Sequence, residues 1–155
     1  KKMNIKMVAD CQSSSQIGDI GRYKEMELIT PTEREARLSL KNISDSIFIL
    51  AKKLTELTNP KHLLLKLGSE GCLVYTNSRK KDDPGNRDQL KAYSNSVVDE
   101  AGAGDSMLVT TALALASKAS IWESSYLGSL AAGIQINQLG NVPITKNQLI
   151  ELLQN

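Results

Sequence analysis

The residues best suited to chemistry in this sequence are three small residues followed by a carboxylate, Gly102-Ala103-Gly104-Asp105. They lead directly into a segment rich in alanine and leucine, which predicts a helix beginning at Ala103. Small residues let a ligand approach the backbone, and the first turn of a helix offers unpaired N–H groups and a positive dipole end. The pattern therefore predicts an anion site formed by Gly102, Ala103 and Gly104.

Asp105 places a negative charge within this predicted anion site. A carboxylate beside a bound phosphate can accept the proton of an attacking hydroxyl, so one interpretation is general-base catalysis of phosphoryl transfer. The alternative is structural, because acids are common in the first turn of helices and the glycines can simply form a tight turn. Two other glycine motifs do not fit: Met107 stands where a dinucleotide fingerprint requires glycine, and no Walker-type sequence occurs.

Composition restricts the classes of function. The 155 residues suffice for one domain with a core, and a net charge of +2 does not favour nucleic acid or an anionic membrane as partner. Cys11 and Cys72 lack metal-ligand spacing, and with no membrane-length apolar segment they favour a reducing cytoplasm. His62, the only histidine, precedes an apolar run and is interpreted as a strand residue, which leaves little basis for Ser-His-Asp or zinc chemistry.

The elements that must position these residues alternate between strands and helices. Strands are predicted at 5–10, 28–29, 63–67 and 72–75, and helices at 31–40 with Thr30 as N-cap, 44–57, 103–118, 121–139 and 145–154 with Thr145 as cap. Residues 77–89 predict a loop, 90–98 an extended return, and the apolar helix from Ala103 is expected to be buried. The alternation predicts an α/β fold, a mostly parallel sheet with helices on both faces. The turn at Gly102 would then lie at a strand-to-helix crossover, where such sheets bind ligands.

Four segments of the sequence resemble, in order, signature segments of one protein family. Residues 28–36 are similar to a TPNxxEA segment, 66–71 to a KLGxxG turn, 99–106 to a C-terminal Asp-Thr-Thr-Gly-Ala-Gly-Asp-Thr signature, and 131–140 to a late helix that closes over adenine. The family is that of the ribokinase-like carbohydrate kinases, the phosphofructokinase-B type. Within it, residues 131–145 are most similar to heptose-phosphate kinases, and a ribokinase or fructokinase is the second choice.

The resemblance implies ATP-dependent phosphorylation of a sugar or sugar phosphate. It implies that Asp105 is the general base and that the N–H groups around Gly102, Ala103 and Gly104 hold the transferring phosphoryl group. It also implies that Glu35 organises Mg²⁺, although Thr32 stands where the family usually has asparagine. The remaining implied positions are Asp99 and the carbonyl of Ala101 for a monovalent cation such as K⁺, and Lys66, Gly68, Gly71 and Asn137 for the nucleotide.

Kinases of this family also carry an N-terminal half that supplies most sugar contacts and a lid. Residues 1–155 are therefore interpreted as the C-terminal, nucleotide-binding portion of a kinase, with the N-terminal half or a second copy in a homodimer as protein partners. A non-catalytic nucleotide-binding or scaffold module is the alternative, and the retained Asp105 argues against it. An unrelated anion-binding α/β protein is disfavoured by the joint presence of Glu35 and Lys66 in their motifs.

Overall fold

The computed structural model describes residues 5–12, 18–77, 86–93 and 97–154. Its strands and α-helices in chain order are β1 (Val8–Ala9), β2 (Leu28–Ile29), α1 (Glu33–Leu40), α2 (Ile47–Thr58), β3 (His62–Lys66), β4 (Cys72–Thr76), β5 (Arg87–Leu90), α3 (Ala103–Ala116), α4 (Ile121–Ile136) and α5 (Lys146–Gln154). The strands form one sheet in the order β1-β2-β3-β4-β5. The α/β class predicted from the sequence is confirmed.

The sheet is mixed, with a parallel side and an antiparallel pair. Strands β1, β2 and β3 run parallel, with Val8 opposite Leu28 and Leu28 opposite His62. The carbonyl of Lys61, just before β3, accepts the N–H of Asn77, just after β4, at 2.9 Å. The start of β3 therefore lies beside the end of β4, so these two strands run in opposite directions.

The chain divides into two compact units. The first unit comprises Lys1–Leu67 and Leu73–Gln89, and the second comprises Gly68–Cys72 and Leu90–Asn155. The core of the first unit is built by the apolar strands β2 and β3, which contact α1 and α2, and its fully buried side chains include Ile29, Leu50, Leu54, Leu63 and Leu65. Helix α2 presents Leu50, Ala51 and Leu54 to this core because these positions recur at helical spacing.

Helix α1 begins two residues later than the sequence suggests, so the prediction of Thr30 as its N-cap is wrong. The N-cap is Thr32, whose hydroxyl accepts the N–H of Glu35 while the Glu35 carboxylate accepts the N–H of Thr32 at 2.7 Å. Thr30 is fully buried and donates its N–H to the carbonyl of Ala9 at 3.1 Å, so it continues the line of β2. The sheet also holds the next two residues, because the Pro31 carbonyl accepts the N–H of Lys66 at 2.8 Å and Thr32 pairs with Lys66, so the helix begins only after Thr32.

Three other predictions, the strand at 5–10, the loop at 77–89 and the extended return at 90–98, are corrected in part. Strand β1 is shorter than the predicted 5–10, and Arg87–Leu90 forms β5 where a loop was predicted up to residue 89. The other parts of those segments at 78–85 and 94–96 lie outside the described residues. Residues 97–102 contain a bend at Val98, a turn at Ala101 and Gly102, and no strand, so the helix at Ala103 does not follow directly on a strand.

In the second unit, α3 packs closely against α4. A Cβ atom built on Gly128 would overlap the hydroxyl of Thr111 and lie 3.0 Å from the carbonyl oxygen of Met107, so glycine sets the helix separation here. The opposite side of α3 is not buried, since Val109 is 54% exposed and Leu113 is 64% exposed. The expectation of a buried helix is therefore wrong for that side, because α3 is apolar all round and α4 covers only one face of it.

None of the helices among the described residues combines the length and the apolar character needed to cross a membrane.

Candidate functional site

The N-terminus of α3 has the features of the anion site predicted from the sequence. Gly102 is the N-cap with φ +78°, a left-handed conformation that favours glycine, and it offers no side-chain cap. The N–H of Ala103 donates to the carbonyl of Glu100 at 3.3 Å, whereas the N–H groups of Gly104 and Asp105 have no partner within the described residues. By contrast, the other helices carry side-chain caps, from Thr32, Ser46, Ser120 and Thr145. Two backbone donors at the positive end of α3 are thus free to bind an anion.

Asp105 lies in the first turn of α3 and is exposed. Its side chain borders a cavity of about 810 Å³ that runs along the uncovered side of α3. Val109 and Leu113 of α3, together with Ile144 and Leu149, give this cavity an apolar wall, and Lys146 adds a positive charge. The arrangement places a carboxylate of the cavity lining beside the N–H groups of Gly104 and Asp105, which have no partner in the described part of the chain.

The segment before Gly102 is held onto the C-terminal end of α4. The N–H groups of Val98 and Asp99 donate to the carbonyl of Ile136 at 2.8 and 3.1 Å. The Asp99 carboxylate accepts the N–H of Ala101 and the N–H of Gly140, each at 2.9 Å. These two N–H donors hold the pKa of Asp99 below its ordinary value. Asp99 therefore fixes the turn that precedes the predicted anion site.

Gln135 completes this connection, and sequence reasoning did not single it out as a functional residue. Its side chain is fully buried, and its amide nitrogen donates to the carbonyls of Ala101 at 3.2 Å and Gly140 at 2.9 Å. Its amide oxygen has no partner among the described residues. The available signal was a glutamine in the otherwise apolar last turns of α4, Leu130 to Ile136, since a buried amide must find hydrogen-bond partners.

In the first unit, polar residues gather where the parallel strands β1, β2 and β3 end. Lys66 Nζ lies 2.6 Å from Asp10 Oδ2, and Thr32 pairs with Lys66 in a parallel bridge. Glu35 is 5% exposed and comes close enough to Cys11 and Asp10 to act on both electrostatically. Lys66, predicted to bind the nucleotide, and Glu35, predicted to organise the metal, therefore lie close to the same residue, Asp10. The sequence did not reveal a role for Asp10.

Burial and charge set the protonation preferences of this cluster. Burial raises the pKa of the Asp10 carboxyl, an effect that the ammonium group of Lys66 opposes. Burial, together with the carboxylates of Glu35 and Asp10, raises the pKa of the Cys11 thiol to about 12. Cys11 is consequently a neutral thiol at physiological pH and has little nucleophilic character.

The two glycines of the turn between β3 and β4 differ in their surroundings. Gly68 has φ +60°, and a Cβ atom there would meet no atom of the described residues within 4 Å. Gly71 has φ +89°, and a Cβ atom there would overlap the carbonyl of Leu90 and lie 2.6 Å from the backbone nitrogen of Ala92. Gly71 is thus required for close backbone packing, whereas the space beside Gly68 is open to a ligand.

Asn137, the remaining residue predicted for the nucleotide, is the C-cap of α4. It borders a second cavity, of about 380 Å³, whose lining residues also include Tyr93, Gly133, Gln148 and Glu151. A Cβ atom on Gly133 would lie 3.0 Å from Cβ of Tyr93, so the glycine allows the tyrosine to pack against α4. The cavity thus has an aromatic side chain and several polar groups in its wall.

Comparison with known proteins places the chain in a family. The model of the pfkB family of carbohydrate kinases matches residues 2–146. The chain is 29% identical over 140 residues to the bifunctional protein HldE of Campylobacter curvus, covering 88% of this chain and 28% of that protein.

Two solved structures share the fold. Phosphofructokinase-2 from Escherichia coli in complex with potassium matches with a TM-score of 0.80 at 19% identity, over 99% of this chain and 48% of that one. Ribokinase from Arabidopsis thaliana complexed with ribose and ATP matches with a TM-score of 0.79 at 21% identity, over 97% of this chain and 48% of that one. The chain thus spans about half of these solved chains and about a quarter of its curated relatives' length. Because the family model matches nearly the whole sequence, this chain belongs to the pfkB family of carbohydrate kinases.

Proposed function

We propose that this chain is the nucleotide-binding portion of a kinase that transfers the γ-phosphoryl group of ATP to a hydroxyl of a sugar or sugar phosphate. The observation that carries the proposal is the N-terminus of α3, where free N–H groups of Gly104 and Asp105 accompany an exposed carboxylate. Membership of the pfkB family supports the same reaction class.

In the proposed step, the hydroxyl oxygen of the sugar forms a bond to the γ-phosphorus of ATP. The bond between that phosphorus and the β,γ-bridging oxygen breaks, and ADP leaves with the electron pair. The Asp105 carboxylate accepts the proton of the attacking hydroxyl. The N–H groups of Gly104 and Asp105, with the dipole of α3, stabilise the negative charge on the equatorial oxygens of the transferring group.

The residues at the ends of the parallel strands fit a role in binding Mg²⁺ with ATP. Among the described residues, no group of three His, Cys, Asp or Glu side chains could enclose a metal ion. Mg²⁺ commonly keeps several waters and is held by one or two carboxylates together with substrate phosphates, so such a cage is not required. Glu35 would hold the Mg²⁺ ion, in part through water. When bound, the ion would neutralise charge on the phosphate oxygens.

For the nucleotide, we propose Lys66, Gly68 and Asn137 as contacts, following the family resemblance, and each is supported only by its own surroundings. Lys66 supplies a positive charge at the end of β3. Gly68 leaves its backbone accessible, because no atom in the described part of the chain lies within 4 Å of its Cβ position. Gly71 acts indirectly, by holding the turn in place. The cavity beside Asn137 has the aromatic and polar wall that a nucleotide base requires, with Tyr93 as the aromatic group.

For the exposed side of α3, we propose that it packs against further kinase sequence, the sugar-binding half. Val109 and Leu113 expose 54% and 64% of their surface, and the cavity beside them has an apolar wall. The match to only half of each kinase structure supports this assignment. A second copy of the chain is the other partner that such a surface could bind.

For the sugar substrate, we propose a heptose phosphate, because residues 131–145 resemble the heptose-phosphate branch of the family. Ribose or fructose is the second choice. A panel of these sugars, assayed with the complete kinase that contains this chain, distinguishes them by kcat/KM.

The reaction is tested by replacing Asp105 with asparagine in the complete kinase. We expect turnover to fall about a hundredfold or more, while calorimetry shows ATP binding within a few-fold of the original protein. Asp88→Asn, the same change at an exposed position on β5, is the matched control and should retain full activity. Turnover by Asp105→Asn within a few-fold of the control would contradict the general-base role. Absence of sugar phosphorylation by the unaltered kinase would favour a non-catalytic nucleotide-binding module.

A further inference from the structure

We infer that the amide group of Gln135 takes the place of the monovalent cation that the resemblance assigns to Asp99 and the carbonyl of Ala101. The inference concerns the turn before α3 and does not depend on the proposed function. It rests on the hydrogen bonds that Asp99, Ala101, Gln135 and Gly140 make with one another, all of them within the second unit.

A cation bound at this turn would require oxygen atoms as ligands. Potassium-sized cations are held by carbonyl and carboxylate oxygens, which must point their lone pairs at the ion. In this structure the Ala101 and Gly140 carbonyls both accept from Gln135 Nε2, at 3.2 and 2.9 Å. Both oxygens of the Asp99 carboxylate accept backbone N–H groups at 2.9 Å. Each of these oxygens therefore already faces a hydrogen-bond donor.

The donor in these two hydrogen bonds is the side-chain amide of Gln135. A primary amide carries two N–H groups, which allows one nitrogen to satisfy two carbonyls at once. Its hydrogens present a partial positive charge to the Ala101 carbonyl, one of the two groups that the resemblance assigns to the cation, and to the neighbouring Gly140 carbonyl. Because Gln135 is fully buried within α4, its amide is also held in a defined place.

The hydrogen bonds from Gln135 to the Ala101 and Gly140 carbonyls also position the turn before α3. Ala101 directly precedes Gly102, the N-cap of α3, and Gly140 follows the end of α4. By joining both carbonyls, Gln135 ties the approach to the predicted anion site to α4 without an ion. Gln135 is thus a positioning residue, and the turn should hold its shape at any concentration of K⁺.

The test compares thermal unfolding of this chain in about 100 mM potassium chloride and in choline chloride at the same ionic strength. A cation bound with a dissociation constant of about 1 mM would raise Tm by roughly 5 °C or more at this concentration. We expect no such difference for the unaltered chain. A K⁺-specific rise of several degrees would overturn the inference, as would an anomalous peak from thallium(I), a K⁺ substitute, between the Ala101 and Gly140 carbonyls in a crystal.

A substitution tests the replacement directly. Gln135→Glu keeps the shape of the side chain but places a carboxylate beside two carbonyls and Asp99, so it should lower Tm in choline and gain a K⁺-dependent recovery of several degrees. Gln154→Ala, at an exposed position near the end of α5, is the control and should respond like the unaltered chain. A folded Gln135→Glu variant without any K⁺ response would contradict the replacement. If the variant does not fold in either salt, the comparison on the unaltered chain still decides.

Discussion

Lys66 and Asp10, which are 56 positions apart in sequence, form an ion pair in which Nζ lies 2.6 Å from Oδ2. Their side chains are 15% and 17% exposed, so the pair is largely shielded from solvent. Buried Glu35 adds a second acidic group close by. The pair therefore joins the ends of β1 and β3 at the edge where we propose the nucleotide phosphates bind.

Replacing Lys66 with methionine should destabilise the fold, because Asp10 would keep a largely buried charge without its partner. We expect the free energy of unfolding to fall by about 2 kcal/mol at neutral pH, as measured by urea denaturation. Lys61→Met is the matched control, because Lys61 is 57% exposed in its pair with Glu27. This replacement should lower the free energy of unfolding by less than about 1 kcal/mol. Equal losses for the two variants would contradict the special position of Lys66.

The loss caused by Lys66→Met should also depend on pH. Burial raises the pKa of Asp10 above its ordinary value of 3.8, so the folded protein favours the neutral carboxyl more than the unfolded chain does. Without the lysine this preference strengthens, and protonation at acid pH then removes the unpaired charge. The stability difference between variant and original protein should therefore shrink as the pH falls toward and below 4. A difference that stays constant with pH would exclude the Asp10 charge as its cause.

His62 should make the fold less stable at acid pH. Burial, helped by the positive charge of Lys61, lowers its pKa from 6.5 to about 4. The folded state therefore binds a proton less readily than the unfolded state between these values. The contribution of neutral His62 to the free energy of unfolding is complete above pH 6.5. It is lost as the pH falls from 6.5 to about 4, by about 3 kcal/mol in total.

Two measurements check the prediction for His62. Because it is the only histidine, its ring resonances report the folded pKa in an NMR titration without overlap. A value near 6.5 would contradict the burial argument. His62→Gln cannot titrate, so its stability relative to the original protein should rise as the pH falls from 6.5 to 4.

The two glycines of the turn between β3 and β4 should respond unequally to alanine. Gly68→Ala should lower the free energy of unfolding by about 1 kcal/mol, because alanine is strained in a left-handed conformation. Its methyl group would meet no atom of the described residues within 4 Å. Gly71→Ala adds an overlap with the backbone of Leu90 and should cost several times as much or prevent folding. Thermal unfolding of both variants gives the comparison, and similar Tm values would show that the packing at Gly71 can relax.

Gly104 offers a way to separate ligand binding from folding. It lies inside the first turn of α3 and has no left-handed conformation, unlike Gly102 with φ +78°. Gly104→Ala should leave the free energy of unfolding within about 1 kcal/mol, since alanine is a better helix former. Its methyl group would crowd a bound phosphate, so we expect affinity for ATP to fall about tenfold in calorimetry. Unchanged ATP affinity in a folded variant would show that the phosphate does not approach Gly104.

The sequence by itself determined the local features, because their causes lie within a few residues. Apolar runs predicted β3 and β4, Thr145 was identified as the cap of α5, and Gly102 was placed at the start of α3. The order of four motifs indicated the family that the family model confirms. The roles of Asp105, Glu35 and Asn137 in catalysis and binding stay predictions.

Only the tertiary structure decided the features that depend on residues distant in sequence. It paired Asp10 with Lys66, and it showed that Thr30 continues a strand because Ala9 accepts its N–H. It left one side of α3 exposed, since a helix that is apolar all round does not reveal which face is covered. It also placed the Gln135 amide between two carbonyls, which spacing could not show because the partners are 34 residues before it and 5 after it.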